Sequence, residues 1–203
     1  MLVGHAHSAI ICGATGCGKT QFILDLLETE YLNFFTYIVI ICPTLERNKT
    51  YRRKWLFNDD GVFLIDPKEF GGLDKTLNTF YKVIGKFDDS QVLFVIDDCS
   101  ALNDMKKKHH SLSELTFSGR HYNCSVWVLT QKYNSVLTDF REQTKWMALF
   151  YCKDKDSFDE ALGENYVISS FEEQKQIRNK LAKNKHSKLI LITEQPTKYY
   201  FKM

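Results

Sequence analysis

The chain has 203 residues, of which 44% are hydrophobic and 26% charged, with only 10 Gly and 3 Pro. That composition fills one sizeable core and excludes collagen-like, low-complexity and disordered chains. A net charge of +2 argues neither for nor against a nucleic-acid partner, so any such role rests on local placement of basic residues. No apolar run reaches the roughly 18 residues of a membrane span. The N-terminal residues lack the basic region of a secretory signal, so the expected setting is intracellular, reducing and away from membranes. The 6 Cys form no C-x-x-C pair, and four of them end or follow apolar runs. They read as reduced thiols acting as small hydrophobes.

In chain order, the first apolar run (8–12, SAIIC) reads as a strand leading into GATGCGKT at 13–20, with an amphipathic helix predicted over 19–29. The octet fits G-x-x-x-x-G-K-[ST], and its strand-before, helix-after setting is the one that motif requires. Glycine turns point backbone N–H groups at phosphate oxygens, and the helix N-terminus adds partial positive charge. The expected nucleotide-binding residues are Gly13, Ala14, Thr15, Gly16, Cys17, Gly18, Lys19 and Thr20, with Gln21 following. Lys19 is expected on the β- and γ-phosphates and Thr20 on a magnesium ion.

A second strand is predicted at 37–42, a helix at roughly 47–57, a strand at 62–65 and a helix over 73–86. Tyr51-Arg52-Arg53-Lys54-Trp55 offers a possible contact to a nucleic-acid backbone. The next run, VLFVI at 92–96, ends in Asp97 and Asp98. A buried strand that ends in two carboxylates needs something positive to meet them. Placed beside the loop-bearing strand, Asp97 would hold magnesium through water and Asp98 would orient or deprotonate the attacking water.

After the acidic strand comes DMKKKHH at 104–110, whose Lys106, Lys107 and Lys108 would meet DNA phosphates without reading sequence. His109, His110 and His121 lack metal-ligand spacing and read as ordinary side chains. A helix is predicted over 111–122 and a strand over 125–129, which exits at Thr130-Gln131. Gln131 is placed to sense the γ-phosphate and help position the nucleophile. Arg120 and Arg141 are the candidates for a finger supplied to a neighbouring subunit. A helix at 137–144, a strand at 146–152 and a helix at 170–184 follow, and the basic residues of 175–188 read as a solvated face. Runs at 188–193 and 198–202, split by EQPT, complete a hairpin on one sheet edge.

Short apolar runs alternating with helices specify a three-layer α/β domain with a mainly parallel sheet. One domain is expected over 1–203, with the core motifs in 7–152 and a C-terminal helix and hairpin in 153–203. The residues leave three functional classes open. These are an ATP hydrolase, a P-loop kinase of a nucleotide or small molecule, and a nucleotide-dependent interaction switch. No Arg-rich lid supports the kinase, and no Asn-Lys-x-Asp base reader supports a GTPase switch.

The succession GATGCGKT, VLFVIDDCS and LSELTFSGRHYNCSVWVLTQKYN resembles the genome-packaging ATPases of large double-stranded DNA viruses and virophages, within the FtsK–HerA superfamily. The resemblance spans roughly 7–152 and is most specific over 92–134. It implies a P-loop NTPase of the additional-strand, catalytic-acid type that binds ATP and magnesium. It further implies a homo-oligomeric ring of five or six subunits threading double-stranded DNA, without sequence preference, into a capsid. Such a motor works in a viral factory or on the virion and docks on a capsid or portal-vertex protein. Carried over by position, 13–20 becomes Walker A, Asp97 and Asp98 become Walker B, and Gln131 becomes the polar strand-tip residue. Arg120 or Arg141 would be the finger. Where FtsK-type motors carry a glutamate as catalytic acid, this chain has the shorter Asp98.

Overall fold

The first strand, β1 (Ser8–Cys12), is buried on both faces, as its unbroken apolar run requires. In a computed structural model describing residues 3–84, 90–99, 110–165 and 170–202, it lies inside an eight-stranded sheet. The other strands are β2 (Tyr37–Ile41), β3 (Val62–Ile65), β4 (Val92–Asp97), β5 (Cys124–Thr130), β6 (Thr144–Phe150), β7 (Lys188–Ile192) and β8 (Lys198–Lys202). Their spatial order is β3-β2-β4-β5-β1-β6-β7-β8. The first six in that order pair in parallel, whereas β7 is antiparallel to β6 and β8 to β7. The protein is therefore a mixed α/β fold with a mainly parallel sheet.

Alternate residues of each strand feed opposite cores, as a period of two dictates. On β1, Ile10 and Cys12 enter one core, and Ala9 and Ile11 the other. The second core is covered by α1 (Lys19–Glu28) and the short α2 (Trp55–Asn58). The first is covered by α3 (Leu73–Ile84), α4 (His110–Ser118), α5 (Thr138–Glu142), α6 (Lys155–Glu164) and α7 (Phe171–Lys183). Their buried contributions include Leu77, Leu112, Phe140, Phe158 and Leu181.

The structure corrects three sequence expectations. Strand β4 is not beside β1, because β5 lies between them. The helix expected at 47–57 is two short turns, a 3-10 turn at Lys49–Tyr51 and α2. Helix α6 was not anticipated. The described thiols are free and buried, with the Cys12 and Cys152 sulfurs 3.6 Å apart, well beyond the ~2.05 Å of a disulfide.

Candidate functional site

Parallel pairing brings strand ends to one edge of the sheet. Cys12 is level with Thr130, Asp97 with Leu129, and Ile41 with Ile96. The residues that leave these ends, 13–20, 97–98, 131 and 42–51, therefore meet outside the carboxyl edge, where open α/β sheets bind ligands. They enclose a cleft of about 360 Å³.

Its floor is the glycine loop. Gly13 N–H donates to the Thr130 carbonyl and Ala14 N–H to the Tyr151 carbonyl, both at 3.1 Å, so the loop is stitched to the strands on either side of β1. A Cβ on Gly13 would lie 2.5 Å from Phe150 Cβ, which excludes any larger residue. Gly18 caps α1 with φ 101° and offers no side-chain acceptor to the first turn, so that turn's N–H groups stay open to an anion. Lys19 Nζ rests on the loop's own carbonyls, donating to Gly13 at 2.8 Å and Ala14 at 3.2 Å.

Opposite lies Asp97, buried at the tip of β4. Its Oδ2 accepts from Thr20 Oγ1 at 2.8 Å and from Tyr51 Oη at 2.6 Å. Burial pushes its carboxyl above the usual range; the hydrogen bonds from Tyr51 and Thr20 and the charge of Lys19 pull the other way. Asp98 leaves the strand in the left-handed region, φ 54°, and also lines the cleft. Backbone strain of this kind gathers at functional sites. Gln131, just beyond β5, forms the same wall.

Of the residues expected to bind nucleotide, Thr15, Gly16, Gly18, Lys19, Thr20 and Gln21 line the cleft. Gly13 and Ala14 contribute backbone beneath it. Cys17 is buried against Gly13, and burial raises its thiol pKa, so it supports the loop from below. Thr20 and Asp97 form a hydroxyl-carboxylate pair of hard oxygens, the donor type that suits magnesium. Among the described residues there is no cluster of His, Cys, Asp and Glu able to hold a metal by itself.

The finger candidates are elsewhere. Arg120 sits in the 3-10 turn Gly119–Tyr122, just before β5 starts, and Arg141 in α5, just before β6 starts. The backbone of both therefore lies toward the amino edge of the sheet, opposite the cleft. The Arg141 guanidinium donates to Glu160 and Glu164 at 2.7 Å each and lies over the Tyr133 ring. Its placement is that of a structural tie between α5 and α6. Lys106, Lys107, Lys108 and His109 fall outside the described residues.

In the possible nucleic-acid contact at 51–55, Arg52 and Lys54 are exposed, whereas the other three residues pack inward. Tyr51 is buried, Arg53 pairs with Asp25 and Glu28 of α1 at 2.7 Å each, and Trp55 Nε1 donates to Glu28. The structure brings in two groups of residues that the sequence does not single out, one in the cleft and one against the glycine loop. Thr44, Asn48 and Thr50 form a third wall, for which no motif exists. From the C-terminal side, His186 Nδ1 lies 3.1 Å from the Cys17 carbonyl, and Lys185 Nζ 3.8 Å from where a Gly16 Cβ would stand. Both fall where the sequence reads as a solvated basic stretch.

Comparison with known proteins bears on the family and the fold. The family model described as "Poxvirus A32 protein" matches residues 1–196. The solved genome packaging NTPase B204 of Sulfolobus turreted icosahedral virus 2, in complex with AMPPCP, is 16% identical. It superposes with a TM-score of 0.65 over 96% of this chain and 97% of that one. B204, the DNA-packaging ATPase of Sulfolobus turreted icosahedral virus, gives 13% identity and a TM-score of 0.67 over 98% of both chains. The pCW3 conjugation coupling protein TcpA, with ATPγS, gives 16% and 0.61 over 97% of this chain and 60% of its own. At these identities the likeness is one of fold. No curated protein matches the sequence significantly.

Proposed function

Because the chain belongs to the Poxvirus A32 protein family, we propose that it is an ATPase that drives double-stranded DNA into a viral capsid. The observation that carries this reading is the facing of Lys19 and Thr20 by two consecutive acids, with Thr20 Oγ1 2.8 Å from Asp97 Oδ2. A phosphate loop alone binds nucleotide. A second acid beside the first supplies what hydrolysis needs.

In this mechanism the triphosphate lies along 15–20, and Lys19 exchanges the Gly13 and Ala14 carbonyls for phosphate oxygens. Thr20, and Asp97 through water, would hold a magnesium ion, which would supply positive charge against the phosphates. Asp98 orients a water in line with the γ-phosphate and takes up its proton. Gln131 contacts the γ-phosphate and the same water, reporting whether that phosphate is present. An arginine from the next subunit completes charge stabilisation. The active form is a homo-oligomeric ring of five or six subunits around the duplex, docked on a capsid or portal-vertex protein. It works in the infected cell or on the assembling virion.

The test is ATP hydrolysis by the purified protein with and without double-stranded DNA. Hydrolysis is expected to rise with DNA of any sequence, and the stimulation to weaken as salt is added, because phosphate contacts release counterions. DNA-independent transfer of phosphate to a small acceptor would instead identify a kinase.

A further inference from the structure

Tyr51 lies within the connection between β2 and β3, is 2% exposed and places its hydroxyl 2.6 Å from Asp97 Oδ2. No motif singles out this tyrosine. We propose that it is a positioning residue that sets the Asp97 carboxylate for magnesium, an inference resting on the reading of the cleft as a magnesium-nucleotide site. The same oxygen accepts from Thr20, so Oδ2 is occupied by two hydroxyl donors and Oδ1 is the oxygen left to receive the water shell of a cation. Thr20 also has to turn its own oxygen toward that cation. Tyr51 then remains the donor that keeps the carboxylate plane from rotating. Groups that orient a metal-holding carboxylate in this way tune affinity for the ion.

The tyrosine is itself braced. Arg53 bonds Asp25 and Glu28 of α1 at 2.7 Å each, and Trp55 Nε1 donates to Glu28. Asn48 Oδ1 accepts from Thr50 N–H and closes the turn that presents Tyr51. Lys19 and Thr20 form the first turn of that same α1. Phosphate loop, helix and hydroxyl are thus tied into one unit, and the buried Asp97 is held from two sides by it. Packing alone asks only for an aromatic ring at this position, since the ring joins the apolar layer with Leu56 and Ile40. The hydroxyl has the further use.

Tyr51→Phe keeps the ring and removes only that hydroxyl. Binding of a fluorescent ATP analogue is measured in EDTA and across a magnesium titration, alongside thermal unfolding of both proteins. The variant is expected to match the wild type in EDTA and to unfold within a few degrees of it. Its magnesium-dependent gain in affinity should be about 10-fold smaller, with half-saturating magnesium raised to match. An equal magnesium gain in the two proteins would overturn the proposal, as would an equal loss of affinity in EDTA and in magnesium. A wild-type chain that bound no nucleotide would remove the underlying site and this role with it.

Discussion

Asp98 holds φ 54°, a region that Asp and Asn tolerate better than other side chains with a Cβ. Asp98→Asn therefore keeps the backbone and the shape while removing the base. Turnover should fall about 10²- to 10⁴-fold, with ATP binding within about twofold of wild type, as steady-state kinetics and equilibrium binding would report. His7 is 3% exposed, accepts from Trp127 Nε1 through Nε2 and donates through Nδ1 to the His5 carbonyl at 2.6 Å. Burial chiefly, opposed by that carbonyl and aided by the His5 charge, lowers its pKa from 6.5 to about 4. The unfolded chain takes up a proton below about 6.5, and the folded chain does so only near 4. Stability is accordingly lost as pH falls through that window, by up to about 3 kcal/mol. Urea midpoints should drop between pH 7 and 4.5, with a shallower slope in His7→Gln. The phosphate loop and both acids are legible in the sequence because their spacing is fixed by backbone chemistry. Tyr51 and His186 are not, since each reaches the site only through tertiary packing.

Elements follow the same division. Strands β1 to β7 announce themselves as apolar runs, and α1 and α7 carry amphipathic patterns. Helix α6 escapes because its sequence, KDSFDEALGE, buries only Phe158, Ala161, Leu162 and Ser157 among acids and a glycine. The stretch at roughly 47–57 reads as one helix. The structure breaks it, since Tyr51 turns inward to Asp97 while Arg53 turns to α1. Arg141 ties α5 to α6 and is 9% exposed at its side chain. Arg141→Ala leaves Glu160 and Glu164 facing each other without their shared cation, and should destabilise by about 1–3 kcal/mol. A lowered unfolding midpoint with ATP turnover per folded molecule intact would establish the structural tie. Lost turnover in a fully stable variant would return it to the catalytic machinery.

At the scale of the molecule, strand order is the feature hardest to read from sequence. Only pairing reveals that β5 separates the acidic strand from the loop-bearing strand and so carries Gln131 between them. The backbone of Arg120 lies just before β5, at the edge away from the cleft, and a finger role for it would be exercised across an interface. Mixing Arg120→Ala subunits with Asp98→Asn subunits, each inactive alone, should restore measurable ATP hydrolysis. Failure to do so would detach Arg120 from a trans role. His186 meets the Cys17 carbonyl across 169 positions of sequence. A chain pared down to its recognisable signatures would leave that carbonyl bare and β6 without its outer neighbour. The tail therefore works as a splint, and trimming the polypeptide to its motifs would dismantle the pocket those motifs describe.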